Sequence, residues 1–156
     1  LKALDKDVTI YQIAPSGSED DTISNLLSRY KDESKHIKVE VKDPVVNPKF
    51  ASEYTTDDLA SNSLIVVCGD RNKVINYNDM YSTSVDYNTW QQTTTGFDGE
   101  GQITSAIGYV TSENLPIMYT LSGHGEKDLD SSFKEDIQKA NIDIKAHENK
   151  DSFYGL

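Results

Sequence analysis

The chain has 156 residues, with 15 Lys and Arg against 26 Asp and Glu, a formal net charge of −11. That charge argues against nucleic acid and anionic membrane surfaces as direct partners, because both repel it. An apolar content of 36% with nine tyrosines exceeds that of a disordered tail, and the length suits one ordinary domain or two very small ones with a real core. No run of 18 apolar residues exists to span a bilayer. The single Cys68 excludes an internal disulfide and does not settle the compartment. Leu1 in place of an initiating Met reads as a fragment cut from a longer chain.

Val8 to Ile13 reads as a first strand, and Ala14-Pro15-Ser16-Gly17 turns it. Ser18 with Asp21 three residues on predicts a capping box, followed by a helix face of Ile23, Leu26, Leu27 and Tyr30. Ile37 to Val41 alternates as a half-buried strand that Asp43-Pro44 ends. Asn47 to Tyr54 predicts a short helix with Pro48 in its first turn. Leu64 to Cys68 is a buried strand, and a turn at Gly69 leads into Lys73–Tyr77 as a hairpin. The polar stretch from residue 82 to 101 reads as a long loop with fragments of structure around Tyr87 and Trp90. A helix over 101–112 follows, with Ile103, Ala106, Ile107 and Val110 on one face. Asn114-Leu115-Pro116 ends it, since Pro disfavours the α region in the residue before it. Ile117 to Leu121 runs apolar without alternating, as a strand covered on both faces does. Ser132 with Glu135 suggests another capping box, Phe133, Ile137 and Ala140 a helix face, and Ile142 to Ile144 a last strand.

The order β-α-β-α-β-β-α is thioredoxin-like, with a β-α-β unit added. That crossover implies parallel strands with a right-handed connection. The expected organisation is an α/β chain, with a thioredoxin-like domain over 1–112 that includes the polar loop 82–101, and a β-α-β extension over 113–156. The extension is either a truncated second domain or a unit completed on the same sheet.

The string ITSAI–YVTSE–LP–Y–LSGHGE between Ile103 and Glu126 resembles the extracytoplasmic domain of the gliding-motility-type auxiliary proteins of ABC transporters. Val39-Glu40-Val41-Lys42-Asp43-Pro44, then Asn47-Pro48, and Gly99-Glu100 fit the same family. The resemblance covers most of residues 7 to 145, and the Gly123-His124-Gly125-Glu126 corner is its most specific piece. It implies a membrane-tethered binding or assembly module without established catalytic residues, whose second part begins an amidotransferase-like α/β domain. It also implies a place on the extracytoplasmic face of a bacterial membrane, held by flanking spans outside this chain, with an ABC permease or another envelope protein as partner.

The candidate sites divide by chemistry. Thiol redox work needs Cys-x-x-Cys at the start of the first helix, where the dipole lowers a thiol pKa. Pro15-Ser16-Gly17-Ser18 stands there, so redox activity is not expected, and Cys68 reads as a small buried hydrophobe. Ser122 to Glu126 lies at a strand's carboxyl end, where open α/β sheets place ligands. Its bland reading is structural: Gly123 and Gly125 permit positive φ, and His124 and Glu126 hydrogen-bond the turn. The sharper readings are a hydrolase or amidotransferase relative using His124 and Glu126, or a solute-binding module. Two such side chains do not make a zinc site, so neither metal nor cofactor is expected. His36 and His147 look solvent-facing. Tyr87 and Trp90 in the polar loop are either partner anchors or a cover for the sheet.

Overall fold

The structure is a computed structural model and describes residues 4–86, 90–122, 127–130, 133–134, 137 and 140–148. The chain is mixed α/β, and the described residues form two helices and eight strands in three sheets. It divides into two compact units, residues 1–111 and 112–156.

The first unit is built on β1 (Val8–Ile13). β1 pairs in parallel with β2 (Ile37–Lys42) through the crossover helix α1 (Asp21–Glu33). β3 (Ser63–Cys68) adds antiparallel to the other side of β1, and β4 (Arg71–Ile75) antiparallel to β3, giving the order β2-β1-β3-β4. The β3–β4 hairpin closes on two residues, Gly69 and Asp70, and Gly69 holds φ at +57°, which a glycine adopts without steric cost. One sheet face carries Val8, Ile10, Leu64, Val66 and Ile75. It packs on Ile23, Leu27 and Tyr30 of α1, and on Ile103, Ala106, Ile107 and Val110 of α2 (Gly99–Thr111). Burying each large aliphatic of this set contributes about 1.5–3 kcal/mol. On the opposite face Tyr11 meets Phe50 edge-on at 4.8 Å, Tyr54 lies tilted against Phe50 at 5.3 Å, and the Lys42 ammonium lies 5.3 Å from the Tyr11 and Phe50 ring centroids.

Three local expectations change. The helix start is not a Ser18–Asp21 box: Asp20 is the N-cap, its Oδ1 accepting from Ile23 N at 3.0 Å. The helix expected over Asn47–Tyr54 shrinks to one 3-10 turn, Ala51–Glu53. Ser52 Oγ donates to the Lys49 carbonyl at 2.7 Å, a local bond that competes with α-helical pairing. The largest change is in the polar loop. Most of the described residues of 82–101 are regular: β5 (Tyr81–Asp86) and β6 (Gln91–Phe97) pair as an antiparallel ribbon, and α2 begins at Gly99. Backbone ladders need no apolar alternation, and Thr93 and Thr95 add hydroxyl bonds to the Ser84 and Ser82 carbonyls.

In the second unit β7 (Ile117–Ser122) pairs in parallel with β8 (Asp143–Glu148). β7 is not covered on both faces. Alternation puts Ile117, Tyr119 and Leu121 on one side, 41%, 61% and 64% exposed, while Met118 and Thr120 are half-buried. The exposed residues of β7 thus fall at alternate positions, as in a strand covered on one face. The Ser132–Glu135 capping box lies outside the described residues. No described helix is long and apolar enough to cross a membrane.

Candidate functional site

Two regions of the first unit gather the side chains that could act: the carboxyl end of β1 and the β5–β6 ribbon. At the end of β1, Gln12 points into the core at 1% exposure, so both ends of its amide require partners. Its Nε2 donates to Asn62 Oδ1 at 2.9 Å, and its Oε1 accepts from Ser24 Oγ at 3.3 Å. Asn62 is the hub. It sits at φ +70°, donates from its backbone N to Ile13 O at 2.7 Å, accepts from Asp20 N at 2.8 Å, and donates from Nδ2 to Ser18 O at 3.2 Å. Asn tolerates that left-handed backbone better than most residues.

Asp20 extends the network to the root of the ribbon. Its Oδ1 caps α1, and its Oδ2 accepts from the hydroxyls of Tyr77 and Tyr81 at 3.2 and 3.3 Å. Burial first, then the Tyr77 hydrogen bond and the Asp20 charge, pushes the Tyr81 hydroxyl far above the usual phenol range, so it stays a donor. Asp43 ties the loop after β2 to the loop after β1. It accepts from Ser16 N at 3.0 Å, Ser16 Oγ at 2.9 Å and Val45 N at 2.8 Å, bonds that hold its carboxyl below the usual range. The N-terminus of α1 is thus filled by a carboxylate already committed to one amide and two phenols. This region holds no thiol, and its polar groups are spent on one another.

The ribbon is built the opposite way. Among the described residues its packing is at the root: the Tyr77, Tyr81 and Phe97 rings follow in series, tilted to one another with centroids 4.8 and 4.9 Å apart, and Asp98 N donates to Met80 O at 2.8 Å. Gly99 is required beneath this stack, because a Cβ there would collide with the Phe97 ring. Beyond the root, residues 82–84, 90, 91 and 93–96 are all exposed. Trp90 is 77% exposed, with φ at +55°, an outlying backbone for a bulky residue.

Of the residues singled out in the sequence, Trp90 lies at the far end of the ribbon rather than over the central sheet. Tyr87 lies outside the described residues, as do Gly123, His124, Gly125 and Glu126. Ser122 is the last residue of β7. His36 is half-buried rather than solvent-facing, with its Nδ1 2.8 Å from Asp7 Oδ1. Cys68 is half-buried against the core. Sequence reasoning missed Asn62 and Asp20. The signal for Asp20 was its place three residues before Ile23; Asn62 bonds partners 50 and 42 residues away and left none.

Two further features are structural. Lys6 Nζ and Arg71 Nη1 donate to the Thr111 and Tyr109 carbonyls at 2.9 and 3.3 Å, cations placed where the end of α2 favours them. A half-open groove of about 270 Å³ between α1 and α2 is lined by Arg29, Tyr30, Glu33, Glu100 and Thr104, below the usual size of a ligand pocket. No family model, no curated protein and no solved structure matches the chain.

Proposed function

We propose that this chain is a non-catalytic binding or assembly domain of a membrane-anchored ABC-transporter accessory protein, working on the extracytoplasmic face of a bacterial membrane. The resemblance carried by Val39–Pro44 and by Ile103–Glu126 supports the family. The order β2-β1-β3-β4, with β3 antiparallel to both neighbours, supports the thioredoxin-like part of the reading. The partner is the ABC permease or another envelope protein, and flanking segments outside this chain supply the membrane anchor.

The observation that carries the binding role is the ribbon. Its described residues beyond the root are exposed, and it presents Trp90, 77% exposed, at its far end. Exposed aromatics on projecting segments are common interface anchors. A hydrolytic or thiol role finds no support at the end of β1, where Asp20, Asn62 and Gln12 are spent on structure.

The test is co-purification of the full-length protein with an ABC permease encoded beside it. Trp90→Ala should weaken that association by on the order of 2–4 kcal/mol, the cost of truncating a hot spot, with the melting temperature unchanged. Unchanged association, or an amidase activity that His124→Ala abolishes, would replace this reading.

A further inference from the structure

The β7–β8 sheet of the second unit is parallel, and parallel sheets are covered on both faces in folded proteins. Met118 and Thr120 are half-buried on one face of β7, while Ile117, Tyr119 and Leu121 are exposed on the other. β8 adds Lys145 to the exposed face, paired with Tyr119 and itself exposed. Three large apolar side chains at alternate positions, with a cation beside them, fit an apolar segment that carries an acidic group. Such a segment follows β8 directly. Residues 149–156 lie outside the described residues and read Asn-Lys-Asp-Ser-Phe-Tyr-Gly-Leu.

We infer that residues 149–156 are the occupant of this face: the chain reverses after Glu148 and lies over Ile117, Tyr119 and Leu121 as a strap. Its starting point favours this. Glu148 pairs with Ser122, the neighbour of Leu121, so the chain leaves the sheet at the rim of the face to be covered. Asn149, Asp151 and Ser152 are residue types that favour turns. The four residues from Asn149 to Ser152 reach about 13 Å, enough to rise the roughly 10 Å that separates packed layers. Phe153, Tyr154 and Leu156 then return along the strand. Ile117 to Leu121 spans about 13 Å, which four extended residues match. Asp151 complements Lys145 in charge. The net charge of −11 opposes a second copy on this face, whereas a tethered segment bears only the cost of ordering its own residues. The strap withholds the face from other chains. This inference does not rest on a transporter partner, because it concerns the purified chain alone.

Paired cysteines in a Cys68→Ser background, which lacks the native thiol, read the position of the strap directly. Leu121→Cys with Ser152→Cys keeps all three apolar residues of the strap. It should close an internal disulfide under mild oxidant at least about tenfold faster than Thr120→Cys with Ser152→Cys, because the strap holds its thiol at high effective concentration on one face of the sheet. Peptide mass spectrometry identifies the bridge, and circular dichroism confirms that each variant is folded. A second measurement needs no new cysteine. Phe153→Ser, Tyr154→Ser and Leu156→Ser combined should increase the binding of a fluorescent apolar dye relative to the parent. Equal trapping from the two faces, or unchanged dye binding in the folded triple variant, would overturn the inference. Bridges between the Leu121→Cys thiols of two chains, in place of the internal bridge, would also overturn it and make a second copy the occupant.

Discussion

The end of β1 and the β5–β6 ribbon are both rich in hydroxyl and amide side chains, yet they use them in opposite ways. Around Asn62 every polar group turns inward: Gln12, Ser18, Asp20 and Ile13 all bond to it. Along the ribbon the described side chains of the same kinds stand in water, and Tyr81 and Phe97 pack at its root. Polar composition therefore does not mark function. What separates the regions is whether the polar groups have been spent, and the open ribbon is the one that keeps capacity for a partner.

The sharpest way to break the comparison is at Asp20. Asp20→Ala removes the helix cap and the acceptor of two part-buried phenols, and should cost about 2–4 kcal/mol in denaturant unfolding. Asp20→Asn retains a cap and should cost less. A loss below about 1 kcal/mol for the alanine variant would mean that the network is not holding the fold. Asn62→Ala comes next, at about 2–3 kcal/mol, since it leaves Gln12 and the Asp20 amide short of a partner and puts a Cβ residue into a left-handed backbone. Asn62→Gly should recover about 1 kcal/mol of this by relieving the backbone. If glycine and alanine are equal, the φ of +70° is not a source of strain.

Acid should act on two carboxylates at opposite ends of β1, Asp43 bonded to the loop after it and Asp7 just before it. Asp43 is depressed below its ordinary 3.8 by the Ser16 and Val45 bonds, and Asp7 chiefly by its His36 bond. A carboxylate with a lowered folded pKa contributes stability above its unfolded pKa and loses it as pH falls through the folded value. Melting temperature should therefore hold down to about pH 4 and fall below it. Asp43→Asn should flatten part of that decline, and an identical acid profile in the variant would count against the assignment. The smallest effect is expected from excising the ribbon: replacing residues 83–95 with Asn-Gly should change stability by less than about 1 kcal/mol, because every residue removed whose burial is described is exposed.

How much of this was legible in the sequence depended on the range of the interactions. Val8–Ile13 reads correctly from its apolar pattern and flanking turn, and Ile103, Ala106, Ile107 and Val110 from helical spacing, because each of those signals is local. The parallel pairing of β7 and β8 followed from the length of the crossover. The ribbon was missed because Ser, Thr and Gln give no alternation of polarity. The run Thr93–Thr95 was the available sign, through the β-propensity of threonine. The Asn62 hub was illegible for a different reason: its partners lie up to 50 residues away and are joined only by the fold. The exposed side of β7 was hidden because a continuous apolar run says nothing about which face will be left open.

The central claim is that the ribbon makes the contact while the end of β1 holds the fold. Its most direct test measures permease co-purification and melting temperature together, for the ribbon excision and for Asp20→Ala in the full-length protein. The account predicts that excision abolishes association with the melting temperature unchanged, while Asp20→Ala lowers the melting temperature and the protein that remains folded binds as the parent does. Association that survives excision but is lost in folded Asp20→Ala protein would contradict it.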